Sequence, residues 1–231
     1  MKMKHLYTAV GHFERRVNTI GHSCPVIILG GKEYMVDLQE MLIWTCMNWR
    51  IVKKDEIAIL YHKACQDNVF VSNRSIDDCI DRLLVRGLLV SGTGESEYDA
   101  LYDLLSALYI IPVNGGILTR FLAFFKLVLF NRVPVGAAKK LLARDSRTQM
   151  EKQIMQLSSQ ALLSSAEIIK CLEKDIHHLP DEESILEQLY DDQDTTSENI
   201  SSMVKTAPGS KAVTIAIANL YLRQQIIFER M

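Results

Sequence analysis

Apolar positions in this chain recur at two periods, and the switch between them marks its units. From Arg74 to Gly92, Ile76, Ile80, Leu83 and Leu84 return at three- and four-residue steps, which predicts a helix with one buried stripe. Gly87 is the residue type that ends a helix in the left-handed conformation, and Leu88, Leu89 and Val90 continue as a strand. Gly92-Thr93-Gly94 reads as the turn after it. Upstream, Leu6, Val10, Phe13, Val17 and Ile20 predict a short helix over residues 5–20. Val26–Leu29, Gly30-Gly31 and Lys32–Val36 predict a tight hairpin. Asp37 and Glu40 form a capping box that opens a helix burying Leu42, Ile43, Cys46 and Met47. A second helix over residues 53–65 buries Ile57, Leu60 and Tyr61.

Beyond the strand, Leu101, Leu104, Leu105 and Leu108 predict another helix, broken at residues 112–116. An apolar helix over 117–133 stops at Pro134. Residues 137–178 then stay helical in character until Pro180, with a bend near 144–148. The last 51 residues repeat the first unit. A shift of 143 sets Ile43 on Leu186, Cys46 on Leu189 and Leu60 on Met203. After a six-residue shortening of the loop, Ile76 falls on Val213, Ile80 on Ile217, Leu83 on Leu220 and Leu89 on Ile226.

The expected fold is mainly α with small β-wings. It comprises an N-terminal helix and hairpin (1–36), a first three-helix unit (37–112), a helical connector that could dimerise (113–180) and a second unit (181–231). With 48% hydrophobic and 23% charged residues, the chain has apolar surface for real cores. Net charge is −2 overall but runs +3, −5, +5 and −5 across those four segments, so both units are acidic.

The helix-glycine-strand pattern resembles the winged helix-turn-helix transcriptional regulators of bacteria. Many of these read Ser/Thr-x-x-Thr-Val-x-x-Ala-Leu-x-x-Leu-x-x-x-Gly-Leu-Ile along the third helix. Here Ile76, Cys79, Ile80, Leu83, Gly87 and Leu89 stand at those positions, as do Val213, Ala216, Ile217, Leu220 and Ile226, with Gln224 replacing the glycine. The resemblance implies two winged-helix units, a homodimer, and DNA contacts from exposed residues early in the third helix. In the second unit those are Ser210, Lys211, Thr214 and Asn219, joined by Arg74 and by Lys139 and Lys140 on the connector. In the first unit the same face carries Asp77, Asp78 and Asp81, which repel a polyanion. Unless DNA is bound, the connector's basic residues are a solvated face. The hairpin leading into three helices is also similar to the peptide-recognition domains of ribosomal-peptide maturation systems. That similarity implies a protein or peptide partner added as a strand to an exposed sheet edge.

Candidate chemistry changes this picture little. His12, His22 and Cys24, and His62 with Cys65, lack the four-ligand spacing of a zinc site, so no metal is expected. Gly30-Gly31-Lys32 lacks the rest of a phosphate loop, and no catalytic motif occurs, so no enzyme activity and no cofactor are expected. Five cysteines without paired spacing suit a reducing cytoplasm, and no apolar run is long enough to span a bilayer. Trp44 is expected in the core and Trp49 at the surface.

Overall fold

A computed structural model describes residues 3–17, 23–66, 74–113, 147–179, 181–190 and 194–230. Within them lie nine α-helices and eight short strands, in small antiparallel sheets. The apolar helix expected over 117–133 lies outside the described residues.

The N-terminal segment is not a helix. It forms strands β1 (Lys4–Ala9) and β2 (His12–Val17), turned at Gly11, whose φ is +81°. A Cβ on Gly11 would stand 2.4 Å from the Ile28 carbonyl oxygen, so only glycine lets the chain cross so close to the neighbouring strand. The apolar steps that suggest a helix are overruled by partners far along the chain: β1 pairs with a strand some 85 residues away, Lys4 against Gly94 and Ala9 against Leu89.

The hairpin forms as expected, from β3 (Ser23–Leu29) and β4 (Lys32–Met35). Gly30 and Gly31 have φ of +54° and +72°, the pair of positive values a two-residue turn requires. With β2 they make a three-stranded sheet in the order β2-β3-β4. Helix α1 (Leu38–Met47) begins at the capping box of Asp37 and Glu40. It is followed by α2 (Lys54–Gln66) and by α3 (Ile76–Val85), which Ser75 caps. Gly87, at φ +73°, turns the chain into β5 (Leu89–Gly94).

Gly92 and Gly94 are not a turn but part of β5, because α4 (Glu97–Leu105) lies directly on that strand. A Cβ at 92 would come within 2.3 Å of the Leu104 nitrogen, and one at 94 within 2.4 Å of the Ala100 nitrogen. These glycines therefore serve a close helix-strand approach.

A second set of elements follows: β6 (Tyr109–Pro112), α5 (Gln149–Gln160), β7 (Leu163–Ser164), α6 (Ser165–Glu173), α7 (Glu182–Leu189), α8 (Ile200–Met203), α9 (Ser210–Leu222) and β8 (Ile226–Glu229). The helical run expected up to 178 is thus interrupted by β7, which pairs with β6. Strand β6 lies between β7 and β8. In the first set β1 likewise lies between β5 and an isolated bridge at Val52, whose backbone exchanges two hydrogen bonds with Tyr7 (2.8 and 3.0 Å). Both sets therefore run central strand, helix, short edge pairing, helix, final helix, outer edge strand.

In this order α9 and β8 stand where α3 and β5 stand in the first set, and α5 and α6 stand where α1 and α2 do, with α7 and α8 between α6 and α9. Leu186 is 63% exposed where its expected match Ile43 is fully buried, although Leu189 is buried like Cys46. One continuous core joins the two sets, with Trp44, Ile43 and Leu83 in the first and Leu163, Ile217 and Phe228 in the second.

Candidate functional site

The residues expected to meet DNA are scattered, and several are committed elsewhere. Ser210 and Thr214 are buried at 2% exposure where α9 faces α4. The Ser210 hydroxyl lies 3.2 Å from the Tyr98 hydroxyl, and that of Thr214 donates to the Ser210 carbonyl at 2.8 Å. Lys211 is exposed, with its ammonium 5.7 Å from the centre of the Tyr98 ring. Asn219 is exposed but lies about 13 Å further along the helix, nine residues at 1.5 Å each. Lys139 and Lys140 lie outside the described residues.

Arg74 points instead toward α1, ion-paired with Asp37 and 3.6 Å from Glu40. Glu40 is 1% exposed and also receives Arg82 at 2.7 Å and Arg86 at 3.0 Å. One buried carboxylate thus draws three arginines from α3 and its approach onto α1. The outer face of α3 keeps Asp77, Asp78 and Asp81 exposed, Asp77 paired with Lys54 at 2.9 Å. The cation of this helix, Arg82, is ion-paired with Glu40, and the exposed carboxylates oppose a phosphate backbone.

Strand β4 is an edge strand with open backbone groups. In a two-residue hairpin the pair flanking the turn, Leu29 and Lys32, exchanges hydrogen bonds, and bonded pairs then alternate with unbonded ones. Lys32 and Tyr34 therefore spend their N–H and C=O groups on β3, while those of Glu33 and Met35 point away from the sheet. Of these four groups one is taken: the Arg86 guanidinium donates to the Met35 carbonyl. The Glu33 side chain is occupied by Arg16 at 2.7 Å, and Met35 is 76% exposed.

On the face of this hairpin that carries the Lys32 and Tyr34 side chains lies a groove of about 920 Å³, also lined by His12 and Leu29. The first set contributes Lys32, Tyr34, Val85 and Arg86, and the second contributes Ile111, Leu162, Glu229 and Arg230. Val85 is 88% exposed at the end of α3, and Leu162 is 41% exposed. The Arg86 guanidinium sits 5.8 Å from the centre of the Tyr34 ring. Glu229, buried to 6%, holds the hairpin turn in place: one carboxylate oxygen accepts from the Gly30 N–H at 2.7 Å, and the other lies 3.4 Å from His12 Nδ1. In sequence, Val85 already stands off the apolar stripe of α3. Glu229, Arg230 and Leu162 carry no such sign, because only the folding of the second set against the first brings them to the hairpin.

Cys46, Cys79 and Cys171 are poor nucleophiles. Burial raises Cys46 and Cys79, and pushes Cys171 up to about 12. Among the described residues no three metal-binding side chains converge, and no helix is long and apolar enough to cross a membrane. Trp44 is in the core as expected, its indole N–H donating to the Val10 carbonyl at 3.1 Å. Trp49 is half-buried rather than free, its indole N–H donating to the Ile226 carbonyl at 3.2 Å.

Compared with protein-family profiles, with curated proteins and with solved structures, the chain matched none.

Proposed function

We propose that this chain is a non-enzymatic, cytoplasmic adaptor built on two winged-helix units, which binds an extended protein or peptide segment as an added strand along β4. The observation that carries this reading is the edge itself. Among the described residues three outward backbone groups of β4 have no partner, the Glu33 N–H and C=O and the Met35 N–H, and the same strand lends Lys32 and Tyr34 to a groove with exposed apolar side chains. Strand addition draws affinity from such main-chain groups and specificity from the pockets that take alternate side chains. The matching order of strands and helices in the two sets supports the winged-helix reading of each.

The transcription-regulator reading, with DNA bound by a homodimer, has less to stand on. Ser210 and Thr214 are buried, Ser210 against Tyr98 of α4, and the arginines near α3 are spent on Glu40. Lys211 and Asn219 are what remains of its described contacts.

The full chain is panned against a displayed library of random ten-residue peptides and, in parallel, titrated with labelled duplex DNA at two salt concentrations. Enriched peptides should bind wild type and lose about tenfold or more with Glu33→Pro. Proline there deletes one outward N–H and leaves the pairing with β3 intact. Absence of any enriched peptide would overturn the proposal, and DNA binding that falls steeply with salt would favour the regulator reading instead.

A further inference from the structure

The groove beside β4 is built by both sets of elements, and its chemistry specifies more than an extended backbone. Lys32 and Arg230 are both exposed and both line it. Arg230 reaches across to the end of α3, where its guanidinium would come 3.8 Å from a Cβ on Gly87. The carboxylates nearest these two cations are already in use. Glu229 holds the Gly30 N–H and faces His12, while Glu33 is paired with Arg16. Among the described residues neither Lys32 nor Arg230 has an ion-pair partner. Two uncommitted cations therefore line a groove that also holds the exposed apolar side chains of Val85 and Leu162.

The register of an added strand is also restricted. Arg86 occupies the Met35 carbonyl, so the ladder is closed at that end and open at Glu33. The segment must pair around Glu33 and continue toward the turn, where Lys32 and Arg230 stand. Side chains of a strand alternate between faces, and those on one face recur about every 7 Å, two residues at roughly 3.3–3.4 Å each. The side chains that enter the groove are therefore an even number of residues apart.

We infer that the partner is an extended segment carrying an acidic side chain, bound by Lys32 and Arg230, and an apolar side chain on the same strand face, set against Val85 and Leu162. This rests on the strand-addition reading above and adds the partner's chemistry to it. It also assigns the second set a direct part in recognition, through Arg230 and Leu162.

The test uses the same displayed ten-residue library on the full-length chain, wild type and the double variant Lys32→Glu/Arg230→Glu. Sequences enriched on wild type should hold Asp or Glu an even number of positions from a Val, Ile, Leu or Phe. Replacing that acid by its amide should weaken binding about tenfold. The double variant should lose these peptides and enrich Lys or Arg at the same position. Single variants Lys32→Gln and Arg230→Gln, which add no new charge, should each weaken binding and flatten its salt dependence. Peptides that bind wild type and fail with Glu33→Pro, yet show no acidic preference and no response to the charge reversal, would sink this inference while leaving strand addition standing. If no sequence is enriched at all, both fall.

Discussion

The phenolic oxygen of Tyr221 accepts a hydrogen bond from the backbone N–H of Trp49 at 2.9 Å, across 172 residues of chain. Trp49 has a φ of +55°, a conformation a bulky side chain adopts only when its surroundings hold it. The same oxygen accepts from the Thr8 hydroxyl at 2.9 Å and donates to the Ala9 carbonyl at 3.0 Å. One side chain of the second set thus completes the backbone bonding of two segments of the first. Burial pushes its hydroxyl up to about 12, so it keeps the proton it donates.

Tyr221→Phe should therefore strand the Trp49 N–H in the seam between the two sets. The expected loss is about 1–3 kcal/mol, the penalty of a buried polar group left without its partner. Urea denaturation followed by tryptophan fluorescence measures it, and an unchanged midpoint would show that the seam does not depend on this bond.

Glu40→Ala removes the one carboxylate shared by Arg74, Arg82 and Arg86, and the capping box with it. Leaving cations packed against a buried site without their counter-charge costs about 3–5 kcal/mol. The variant should be among the least stable single substitutions, read as a lower denaturant midpoint. It should also release Arg86 from α1 and loosen its hold on the Met35 carbonyl, which hydrogen exchange at β4 would register.

Two glycines should respond differently to alanine. At Gly92 the new Cβ meets the backbone of α4 at 2.3 Å, so helix and strand must separate, at a cost of roughly 1–3 kcal/mol or more. At Gly31 nothing lies within 4 Å, and only the positive φ of +72° is penalised, about 1 kcal/mol. Thermal melts should rank Gly92→Ala clearly below Gly31→Ala, and the reverse order would contradict the close packing of α4 on β5.

Alkaline pH should weaken the fold. Burial lifts the Cys171 thiol from its ordinary value of 9.0 to about 12, and lifts the hydroxyls of Tyr102, Tyr190 and Tyr221 as well. Above pH 9 the unfolded chain sheds a proton that the folded chain retains, so stability present below that pH is lost progressively up to about pH 12. Denaturant midpoints measured from pH 8 upward should fall. Cys171→Ala should make the decline shallower, and the tyrosines, with an ordinary value of 10.0, account for what remains.

Much of the architecture is legible in short stretches. The Asp37–Glu40 capping box, the Gly30-Gly31 hairpin, the α3 stripe and its stop at Gly87 all depend on residues within a turn or two of one another. Misreadings occur where a distant partner decides. Leu6 to Val17 carry helical spacing but sit among β-formers such as Tyr7 and Thr8, and pairing with β5 and β3 settles them as strands. The apolar positions of α3 and α9 match in register in the sequence, whereas for the earlier helices any two amphipathic stretches can be superposed, and the strand order sets α5 and α6 in the places that α1 and α2 hold.

Local patterning by itself therefore determined where most helices start and stop, which faces they bury, and that the third helix of the first unit is acidic. Tertiary structure alone decided that β1 and β6 are central strands, that Ser210 and Thr214 are buried, and that Glu229 and Arg230 stand beside the hairpin of residues 23–35. The physical reason is range. Caps, turns and helical periodicity act over a few residues and are written where they act, whereas strand pairing and charge capture join groups far apart in the chain, from Arg86 and Glu40 at 46 residues to Gly30 and Glu229 at 199. Their partners are set by the packing of the whole chain.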